Sequence, residues 1–496
     1  MSDAAAAILT NLFGSDRVIA GAALTVRPAT VDDLCRAVKL LTDLGVAIVP
    51  RSGRDGAAET GDIAGAVAIL DLSDLNRVIE INEPDRTVTV EAGCSWGELR
   101  SALTPLGLRT PFYGPLADGA ASIGASASGN SWFFGSGAYG TAADHVLSLD
   151  VVLADGSLVQ TGAAAGEGRA PFFRHFGPDF TGLFLGDSGA FGVKARVTMP
   201  LIPLPAAEAY ASFAFERFED IAEAHVALAR EHIVAEQWGL DPESNDALAA
   251  RGHKFLEGVT FAHDPSPEWV ARANERLTVG HRQTLRGGFS LHVAVEATTE
   301  REAETKLGRV RRLMLPIALK ELPNAIPQLV RANPFRAAGL LFAAAGEHHV
   351  SLHGLFPFSK ASTIVAVTDE YFLRHHEVIA KRGIRHCCLT GTVGNAFLLA
   401  PVISWSDPSG REDALRLRRD LIGLWDAFGA THLQMGRLYP YTSGLSSAAR
   451  AMAETVKRAL DPRGLMNPGV LQLGAAPAAK AIRKFAEFPQ NLLEEN

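Results

Sequence analysis

The pattern of apolar positions predicts a helix followed by a strand near the start of the chain. The helix is predicted by four apolar residues at one-face spacing: Val31, Leu34, Val38 and Leu41. Thr30 is suited to cap this helix and Gly45 to end it. The apolar run 46–49 predicts a strand that ends at Pro50, and residues 51–56 form a polar, glycine-bearing loop.

Short β-branched runs and turn signals continue to about residue 200. Three strands are predicted at 66–72, 77–81 and 87–91, and Ser95 with Glu98 predicts a capping box before another helix. Two further strands, 146–153 and 157–161, flank the hairpin signal Asp155-Gly156. Mixed helices and strands within one unit indicate an α+β domain.

The central part of the chain has longer segments. Amphipathic segments are predicted at 221–238, 266–279 and 298–313, and strands at 348–356, 362–367 and 386–399. This pattern predicts a second α+β domain. A helix follows at 446–460, and residues 475–496 are expected to form a terminal helix or an extension.

Composition narrows the class of protein. The 496 residues are 47% hydrophobic and 21% charged, which is typical of a globular chain. The net charge of −8 argues against nucleic-acid binding, and four cysteines are too few for a disulfide framework. The N-terminus lacks a basic signal-peptide region, and the longest apolar stretch, 337–345, is too short to span a bilayer. We therefore expect a cytoplasmic protein with no transmembrane segment.

The strongest chemical signal is a stretch of small residues, 121–130. Such residues allow a backbone to approach an anion or a flat ring closely, although a tight packing surface is the alternative. Glycine-rich segments follow at 135–145 and 176–193.

Together with the loop at 50–56 and the motif Met466-Asn467-Pro468-Gly469, these segments resemble the vanillyl-alcohol oxidase and p-cresol methylhydroxylase family. That family also includes FAD-linked D-lactate dehydrogenases and glycolate oxidase subunits. The resemblance implies an α+β fold in which a PCMH-type FAD-binding domain of two α+β subdomains joins an α+β cap domain whose antiparallel sheet lies over the flavin. The implied boundaries are 1–204 for the FAD domain, 205–445 for the cap, and 446–496 for a segment that returns to the FAD domain.

The resemblance also implies which residues bind FAD. The loop that wraps the diphosphate corresponds to Pro50, Arg51, Ser52, Gly53, Arg54 and Asp55. The segment beside the flavin and its phosphates corresponds to Ser122, Ile123, Gly124, Ser128, Gly129 and Asn130, with Tyr139 and Gly140 following. Contacts to the adenosine side correspond to Asp187, Gly192 and Val193, and Asn467 belongs to the returning C-terminal element.

Candidate catalytic residues come from both domains. The resemblance suggests Asp144 as a charge close to flavin N5 and His145 as its neighbour; the alternative is that Asp144 caps a turn and His145 packs under the hairpin. Strand alternation places His353 on one face with His349 and Ser351, so it could line the substrate site, although a core histidine is the alternative.

A clamp for a substrate oxyanion is a further candidate site. The resemblance suggests Arg437 and Tyr439 for this role, with exposed loop tyrosines as the alternative. No metal is expected, because Thr390 and Val393 stand where the hydroxy-acid branch of the family has His and Asp ligands. Whether FAD is covalently attached stays open.

The expected function is that of an FAD-dependent oxidoreductase that transfers a hydride from a small organic substrate to flavin N5. The loop Ser52-Gly53-Arg54-Asp55 resembles that of the phenol-oxidising branch of the family more closely than that of the hydroxy-acid branch. This resemblance and the missing metal ligands favour an aromatic alcohol or a para-substituted phenol. A 2-hydroxy-acid dehydrogenase of the D-lactate or glycolate type is the alternative, and a non-catalytic flavin-binding electron-transfer subunit is an alternative of another class. The electron acceptor is oxygen, a quinone or a redox protein, and a homodimer is left open. Residues 480–488 either dock a partner or membrane, or pack on their own domain.

Overall fold

The described part of the chain forms a four-stranded sheet, a five-stranded sheet and two two-stranded sheets in the N-terminal region, and one large sheet in the central region. The computed structural model describes residues 3–21, 23–52, 63, 66–117, 120–248, 288–332, 334–335, 347–437 and 439–473. The strands before residue 204 are β1 (Val18–Ile19), β2 (Leu24–Val26), β3 (Ala47–Arg51), β4 (Val67–Asp71), β5 (Val78–Asn82), β6 (Thr87–Glu91), β7 (Leu108–Arg109), β8 (Gly114–Pro115), β9 (Phe133–Phe134), β10 (Ser148–Val152), β11 (Leu158–Gln160), β12 (Val193–Pro200) and β13 (Ile202–Pro203). The later strands are β14 (Ala207–Phe215), β15 (Glu236–Leu240), β16 (Phe289–Ala297), β17 (Lys320–Leu322), β18 (His348–Ser351), β19 (His353–Pro357), β20 (Ile384–Val393), β21 (Ala396–Trp405) and β22 (Thr431–Leu433).

Helices connect and cover these strands. The α-helices discussed here are α1 (Asp3–Phe13), α2 (Val31–Asp43), α3 (Trp96–Leu103), α4 (Ile123–Gly129), α5 (Ser136–Tyr139), α6 (Phe180–Leu183), α7 (Phe218–Glu231), α8 (Glu300–Met314), α9 (Ala325–Ala332), α10 (Ala361–Arg374), α11 (His376–Lys381), α12 (Arg411–Asp426), α13 (Tyr441–Gly444) and α14 (Ser447–Leu460). Short 3₁₀ turns lie at Thr104–Leu106, Ala142–His145, Gly162–Ala165, Phe358–Lys360, Pro408–Gly410 and Val470–Gln472.

The first small sheet has the strand order β1-β2-β4-β3, and β2, β4 and β3 run parallel. Helix α2 packs on it and begins at the predicted cap, where the hydroxyl of Thr30 accepts a hydrogen bond from the amide of Asp33 at 3.1 Å. Its predicted apolar face is buried. The chain returns to this sheet near its C-terminus, since Met466 forms a parallel bridge with Ile48.

The second small sheet is antiparallel, with the order β11-β10-β12-β6-β5. The predicted hairpin around Asp155-Gly156 is confirmed, because β10 pairs with β11. The capping box of Ser95 and Glu98 is also present at the start of α3. Helix α4 packs between this sheet and the central region, and it is formed by the small-residue stretch.

The large sheet is antiparallel and, within the described ranges, has nine strands in the order β17-β14-β16-β15-β20-β21-β19-β22, with β18 also paired to β21. Helices α7, α8, α10 and α12 contribute to the cores on one face. Aromatic residues of the N-terminal region, including Trp132 and Phe134, pack with Trp238 and Leu389 of the sheet in another core. The N-terminal region therefore packs against the large sheet through this aromatic core.

Three predicted elements differ from the structure. Residues 362–367 are not a strand: they lie in helix α10, where Ile364, Val365, Thr368 and Phe372 are buried at helical spacing. The core that these residues face overrides their β-branched propensity. The segment 221–238 is not one helix, because α7 ends at His232 in a left-handed conformation and Trp238 belongs to β15.

The apolar run 386–399 also proves to be more than one strand. It forms β20 and β21, which are joined by a turn at Gly394 and Asn395. A run of period-two residues does not by itself reveal where a strand reverses. The predicted helix at 266–279 and the segment 475–496 lie outside the described residues, as does the proposed docking segment 480–488. The domain boundaries remain predictions.

Candidate active site

A cavity of about 660 Å³ lies between the N-terminal sheets and the large sheet. This volume is within the range of roughly 300–1,000 Å³ that is typical of ligand and cofactor sites. Residues from β3, α4, the turn before β12 and the C-terminal element form one side of it. Residues of β18, β19, β20 and β21 form the other side, so the cavity joins the two regions.

Helix α4 forms part of the cavity wall and packs unusually closely on the sheet below it. The amides of Ile123 and Gly124 donate to the carbonyls of Cys94 and Ala92 at 2.9 and 2.8 Å. A Cβ added to Gly124 would lie 2.7 Å from the Cβ of Ala92. The first amides of this helix are thus already bonded within the protein, and we do not assign them to an anion. The start of the small-residue stretch is therefore a tight packing surface, which was the alternative to a ligand-binding backbone.

The later part of α4 faces open space. Ala125, Ser128 and Gly129 line the cavity, and a Cβ added to Gly129 would meet no protein atom within 4 Å. Among the described residues, no side chain occupies the space beside this end of the helix. Such a surface fits a flat ring or a dinucleotide, because backbone and Cβ atoms can contact it without steric conflict.

Cationic side chains also line the cavity. The Nη2 of Arg51 lies 2.8 Å from Oδ2 of Asp71. Burial by itself would raise the pKa of Asp71, but its hydrogen bond from Arg51 leaves that pKa below its ordinary value. Arg437 and Lys194 are on the same wall. Positive groups of this kind are suited to the diphosphate of a dinucleotide.

A segment of the central region crosses onto the N-terminal region beside these cations. The amide of Gln434 donates to the carbonyl of Gly129 at 2.9 Å, and Ser188 donates to the carbonyl of Met435. Arg437 donates to the side-chain oxygen of Asn467. The next residue, Pro468, provides a carbonyl that also accepts from Arg437. Asn467 in turn donates to Ser188, so three separate parts of the chain are joined at the cavity.

The wall formed by the large sheet carries neutral polar groups. His349, Ser351 and His353 all line the cavity, as strand alternation predicts. The ring of His353 lies edge-on to Trp132, with 6.0 Å between centroids. Burial, and then the charges of Arg418 and His432, lower the pKa of His353 to about 3. His353 is therefore a neutral imidazole at neutral pH, able to accept or donate a hydrogen bond.

Twelve of the predicted site residues line this cavity. Eleven were implied by the family resemblance and His353 by strand alternation: Pro50, Arg51, Ser52, Ser122, Gly124, Ser128, Gly129, Gly192, Val193, His353, Arg437 and Asn467. Gly53, Arg54 and Asp55 lie outside the described residues. The remaining predicted residues are placed next to the cavity wall or away from it, and each has a local role.

Asp144 and His145 are bonded within their own turn. The carboxylate of Asp144 accepts from the amide and the hydroxyl of Thr141 at 2.7 and 2.9 Å, which forms a capping box. Nε2 of His145 lies 2.5 Å from the carbonyl of Tyr139. Gly140, which follows Tyr139, has a positive φ of 92° in the same turn. These contacts match the alternative in which Asp144 caps a turn, and they leave a role beside flavin N5 without geometric support.

Tyr439 is also placed away from the cavity wall. It is buried in the core of the central region, and its ring centroid lies 4.6 Å from that of His432. Ile123 is buried in the core beneath α4. Asn130 caps the end of α4 and accepts from the amide of Ala143 at 3.1 Å. Arg437 thus lines the cavity, whereas Tyr439, with which the resemblance pairs it, packs in this core.

The cavity residues that the sequence did not single out include Trp132 and Lys194. Trp132 follows the small-residue stretch, and Lys194 follows Gly192 and Val193 at the start of β12. The polar residues of β12, Lys194, Arg196 and Thr198, alternate with apolar ones, so the sequence does not distinguish the buried lysine from a residue on an exposed face. Asp187, which was predicted as an adenosine contact, holds this lysine instead of lining the cavity.

The described residues contain neither a cluster of metal ligands nor a membrane-spanning helix. The described part of the chain contains no group of three or more His, Cys, Asp and Glu side chains placed to hold a metal ion. Across the same residues, none of the helices has both the length and the apolar character needed to cross a bilayer.

Two segments of the chain match known domain families. Residues 22–162 match a family described as an FAD binding domain. Residues 443–471 match the C-terminal domain of FAD linked oxidases. The first match includes strand β3 and helix α4, and the second includes Asn467, so both contribute to the cavity wall.

Curated relatives match mainly over the N-terminal region. The glycolate oxidase subunit GlcD of Bacillus subtilis is 30% identical over 181 residues, which is 36% of this chain and 37% of that protein. A probable mitochondrial D-lactate dehydrogenase of Danio rerio is 32% identical over 185 residues, or 37% of this chain and 35% of that protein. The chain thus matches little more than a third of the length of these relatives.

Solved structures match over almost the whole chain. The 4-ethylphenol oxidase of Gulosibacter chungangensis superimposes with a TM-score of 0.74 and 17% identity, over 95% of this chain and 97% of that one. Substrate-bound p-cresol methylhydroxylase gives a TM-score of 0.72 at 17% identity, over 94% and 96%. At this identity the likeness establishes the fold, and the predicted α+β fold class is confirmed. The chain therefore carries the FAD-binding domain and C-terminal element of the FAD-linked oxidases on the p-cresol methylhydroxylase fold, which confirms the family resemblance of its sequence.

Proposed function

We propose that this protein is an FAD-dependent oxidoreductase that oxidises an aromatic alcohol or a para-substituted phenol. The observation that carries the proposal is the cavity itself: a bulk-free wall of the FAD-binding domain lies opposite a wall of neutral polar and apolar groups from the large sheet. FAD, when bound, supplies the redox chemistry by accepting a hydride from an oxidisable C–H bond. The protein binds both molecules and orients them.

Three features support an uncharged aromatic substrate. Leu389, Val402 and Trp132 provide apolar surface beside the polar groups of the large sheet. His353 and Ser351 are neutral hydrogen-bonding partners for a hydroxyl group, because the pKa of His353 is held at about 3. Apolar walls also exclude water from the reacting carbon, which strengthens polar contacts inside the site.

Each of these residues has a definite task in the proposed reaction. His353 accepts the hydrogen bond of the substrate hydroxyl and so fixes the carbon that bears it. Trp132, which meets the imidazole edge-on, limits the rotation of that ring and contacts the aromatic part of the substrate. Arg51, which also lines the cavity, supports the diphosphate of the cofactor.

Oxidation of a 2-hydroxy acid is the second candidate. Arg437 lines the cavity, and a guanidinium is suited to binding a substrate carboxylate. The names of the curated relatives, glycolate oxidase subunit and D-lactate dehydrogenase, favour this candidate for the matched region. An electron-transfer subunit without its own substrate is the candidate of another class.

The visible spectrum of the purified chain tests cofactor binding first. We expect flavin absorption, and precipitation with acid then separates free from covalently attached flavin. A colourless preparation that takes up no added FAD would contradict the proposal.

Anaerobic bleaching of the flavin tests the substrate. We expect vanillyl alcohol or a 4-alkylphenol to bleach it faster than D-lactate or glycolate does. The His353→Leu variant should retain flavin but lower kcat/KM by about 10- to 100-fold, the range of one lost hydrogen bond to a reacting group. Faster bleaching by the hydroxy acids would favour the second candidate. Bleaching by none of the four, in a flavin-loaded chain, would favour the electron-transfer subunit.

A further inference from the structure

Lys194 is a buried, charged residue in the cavity wall. Its side chain is 3% exposed and forms an ion pair with Asp187, whose side chain is 1% exposed. The carboxylate of Asp187 also accepts hydrogen bonds from the amides of Gly189 and Phe191, at 3.0 and 3.2 Å. These two backbone amides hold the carboxylate of Asp187 in place, and the carboxylate fixes the position of the Lys194 ammonium.

Stability alone does not explain a lysine at this position. Replacing a buried ion pair by apolar residues of similar size is often neutral or stabilising, because desolvation of the charges offsets their attraction. Val151, the residue opposite Lys194 on β10, is fully buried, so an aliphatic residue would suit this position of the strand. A cation at this position therefore points to an anionic partner in addition to Asp187.

A second buried lysine, Lys457, is bonded entirely by groups of the protein. Nζ of Lys457 donates to the carbonyls of Ala190 and Met466 at 2.7 Å each, and it pairs with Asp461 at 2.8 Å. These three acceptors match the three donors of an ammonium group. Lys457 does not line the cavity.

The ammonium of Lys194 is bonded differently. Within the described ranges Asp187 is its one hydrogen-bond acceptor, so two of its three donors remain for another group. Gly189 lines the cavity, and its amide donates to the same Oδ1 of Asp187 that the ammonium contacts. A Cβ on Gly189 would lie 3.2 Å from Pro50 and 3.6 Å from Asn467, which also line the cavity. A ligand in this part of the cavity is therefore within reach of a fixed cation.

We propose that Lys194 is a further cofactor-binding residue, whose ammonium, anchored by Asp187, donates to the diphosphate of FAD. A diphosphate offers several anionic acceptors, and hydrogen bonds between charged groups are stronger than neutral ones. The inference rests on FAD occupying this cavity, and it adds a residue to the binding site without depending on the identity of the substrate.

The test compares two lysine variants in the full-length chain, prepared free of flavin by expression in riboflavin-starved cells. FAD binding is measured by the quenching of flavin fluorescence. Lys194→Met should weaken FAD binding by about 10- to 100-fold, the effect of losing a charge-assisted hydrogen bond. Lys457→Met, which removes an equally buried lysine outside the cavity wall, should change FAD affinity far less when both variants are compared at equal folded fraction.

Two further measurements locate the contact. Lys194→Met should weaken the binding of ADP, which carries the diphosphate, and leave the weaker binding of adenosine unchanged. The double variant Lys194→Met/Asp187→Asn removes the carboxylate that the single variant leaves unpaired, so a loss that persists there belongs to the missing cation. Unchanged FAD and ADP affinity in Lys194→Met, an equal loss for adenosine, or full recovery in the double variant would overturn the proposal. None of these outcomes depends on which substrate bleaches the flavin.

Discussion

Single small residues shape the wall that faces the cofactor. Gly124 and Gly129 lie on the same short helix but have different surroundings, since Gly124 packs against Ala92 and Gly129 faces open space. The small size of Gly124 thus allows helix and sheet to approach each other. The small size of Gly129 keeps the cavity open, which makes it the better probe of ligand binding.

We expect Gly129→Leu to bind FAD about tenfold or more weakly while remaining folded, because overpacking of a filled site costs about 1–3 kcal/mol. Fluorescence titration with FAD measures the affinity, and thermal unfolding without FAD measures the fold. Gly308→Leu is the matched control, as Gly308 is also helical and has no atom within 4 Å of an added Cβ, but lies on α8. Equal FAD affinity in the two variants would contradict the placement of FAD against α4.

At the scale of elements, a buried ionic network joins helix α9 to both regions of the chain. The guanidinium of Arg331 contacts Glu236 at 2.7 Å and Glu296 at 2.5 Å, and it also pairs with Glu208. The Tyr113 hydroxyl, from the N-terminal region, donates to Glu236 at 2.8 Å. Tyr113 is followed by β8 and the cavity residues 115–117, so the network supports one side of the site.

Removing the central cation should destabilise this junction strongly. We expect Arg331→Met to lower the free energy of unfolding by about 3–5 kcal/mol, because it leaves buried carboxylates without their partner. Arg311→Met is the control: its pair with Glu321 is about half exposed, and such pairs contribute about 0–1 kcal/mol. Denaturant unfolding of both variants provides the comparison. Similar losses in the two would show that the network contributes little to joining the regions.

At the scale of the whole molecule, buried histidines make the fold sensitive to acid. Burial lowers the pKa of His225 to about 3 and that of His386 to about 4. In the unfolded chain a histidine has a pKa of about 6.5, so the unfolded state takes up protons first as the pH falls. Stability is therefore fully present above pH 6.5 and decreases below it.

His225 is suited to a direct measurement, because it is fully buried and its Nε2 lies 2.9 Å from the Thr390 hydroxyl. By linkage, we expect protonation of His225 in the unfolded chain to lower the free energy of unfolding by about 2 kcal/mol between pH 7 and pH 5. His225→Gln should reduce the pH dependence of the unfolding free energy by about that amount, whatever its effect at pH 7. His376→Gln, at an exposed position, is the control. An unchanged pH dependence in His225→Gln would indicate that His225 is not neutral in the folded protein.

The amino-acid sequence by itself determined the local elements, the α+β class and the FAD-binding domain. Caps such as Thr30 and Ser95, the hairpin at Asp155-Gly156 and the small-residue stretch all depend on near neighbours in the chain, so short patterns predict them.

Only the tertiary structure decided which side chains face the cavity. Residues 362–367 form a helix against a core, and Tyr439 is buried in the core of the central region. The tertiary structure also brought Lys194 to the wall, through contacts with a turn formed by residues seven positions earlier. These outcomes depend on packing and on partners from other elements, which no local pattern contains.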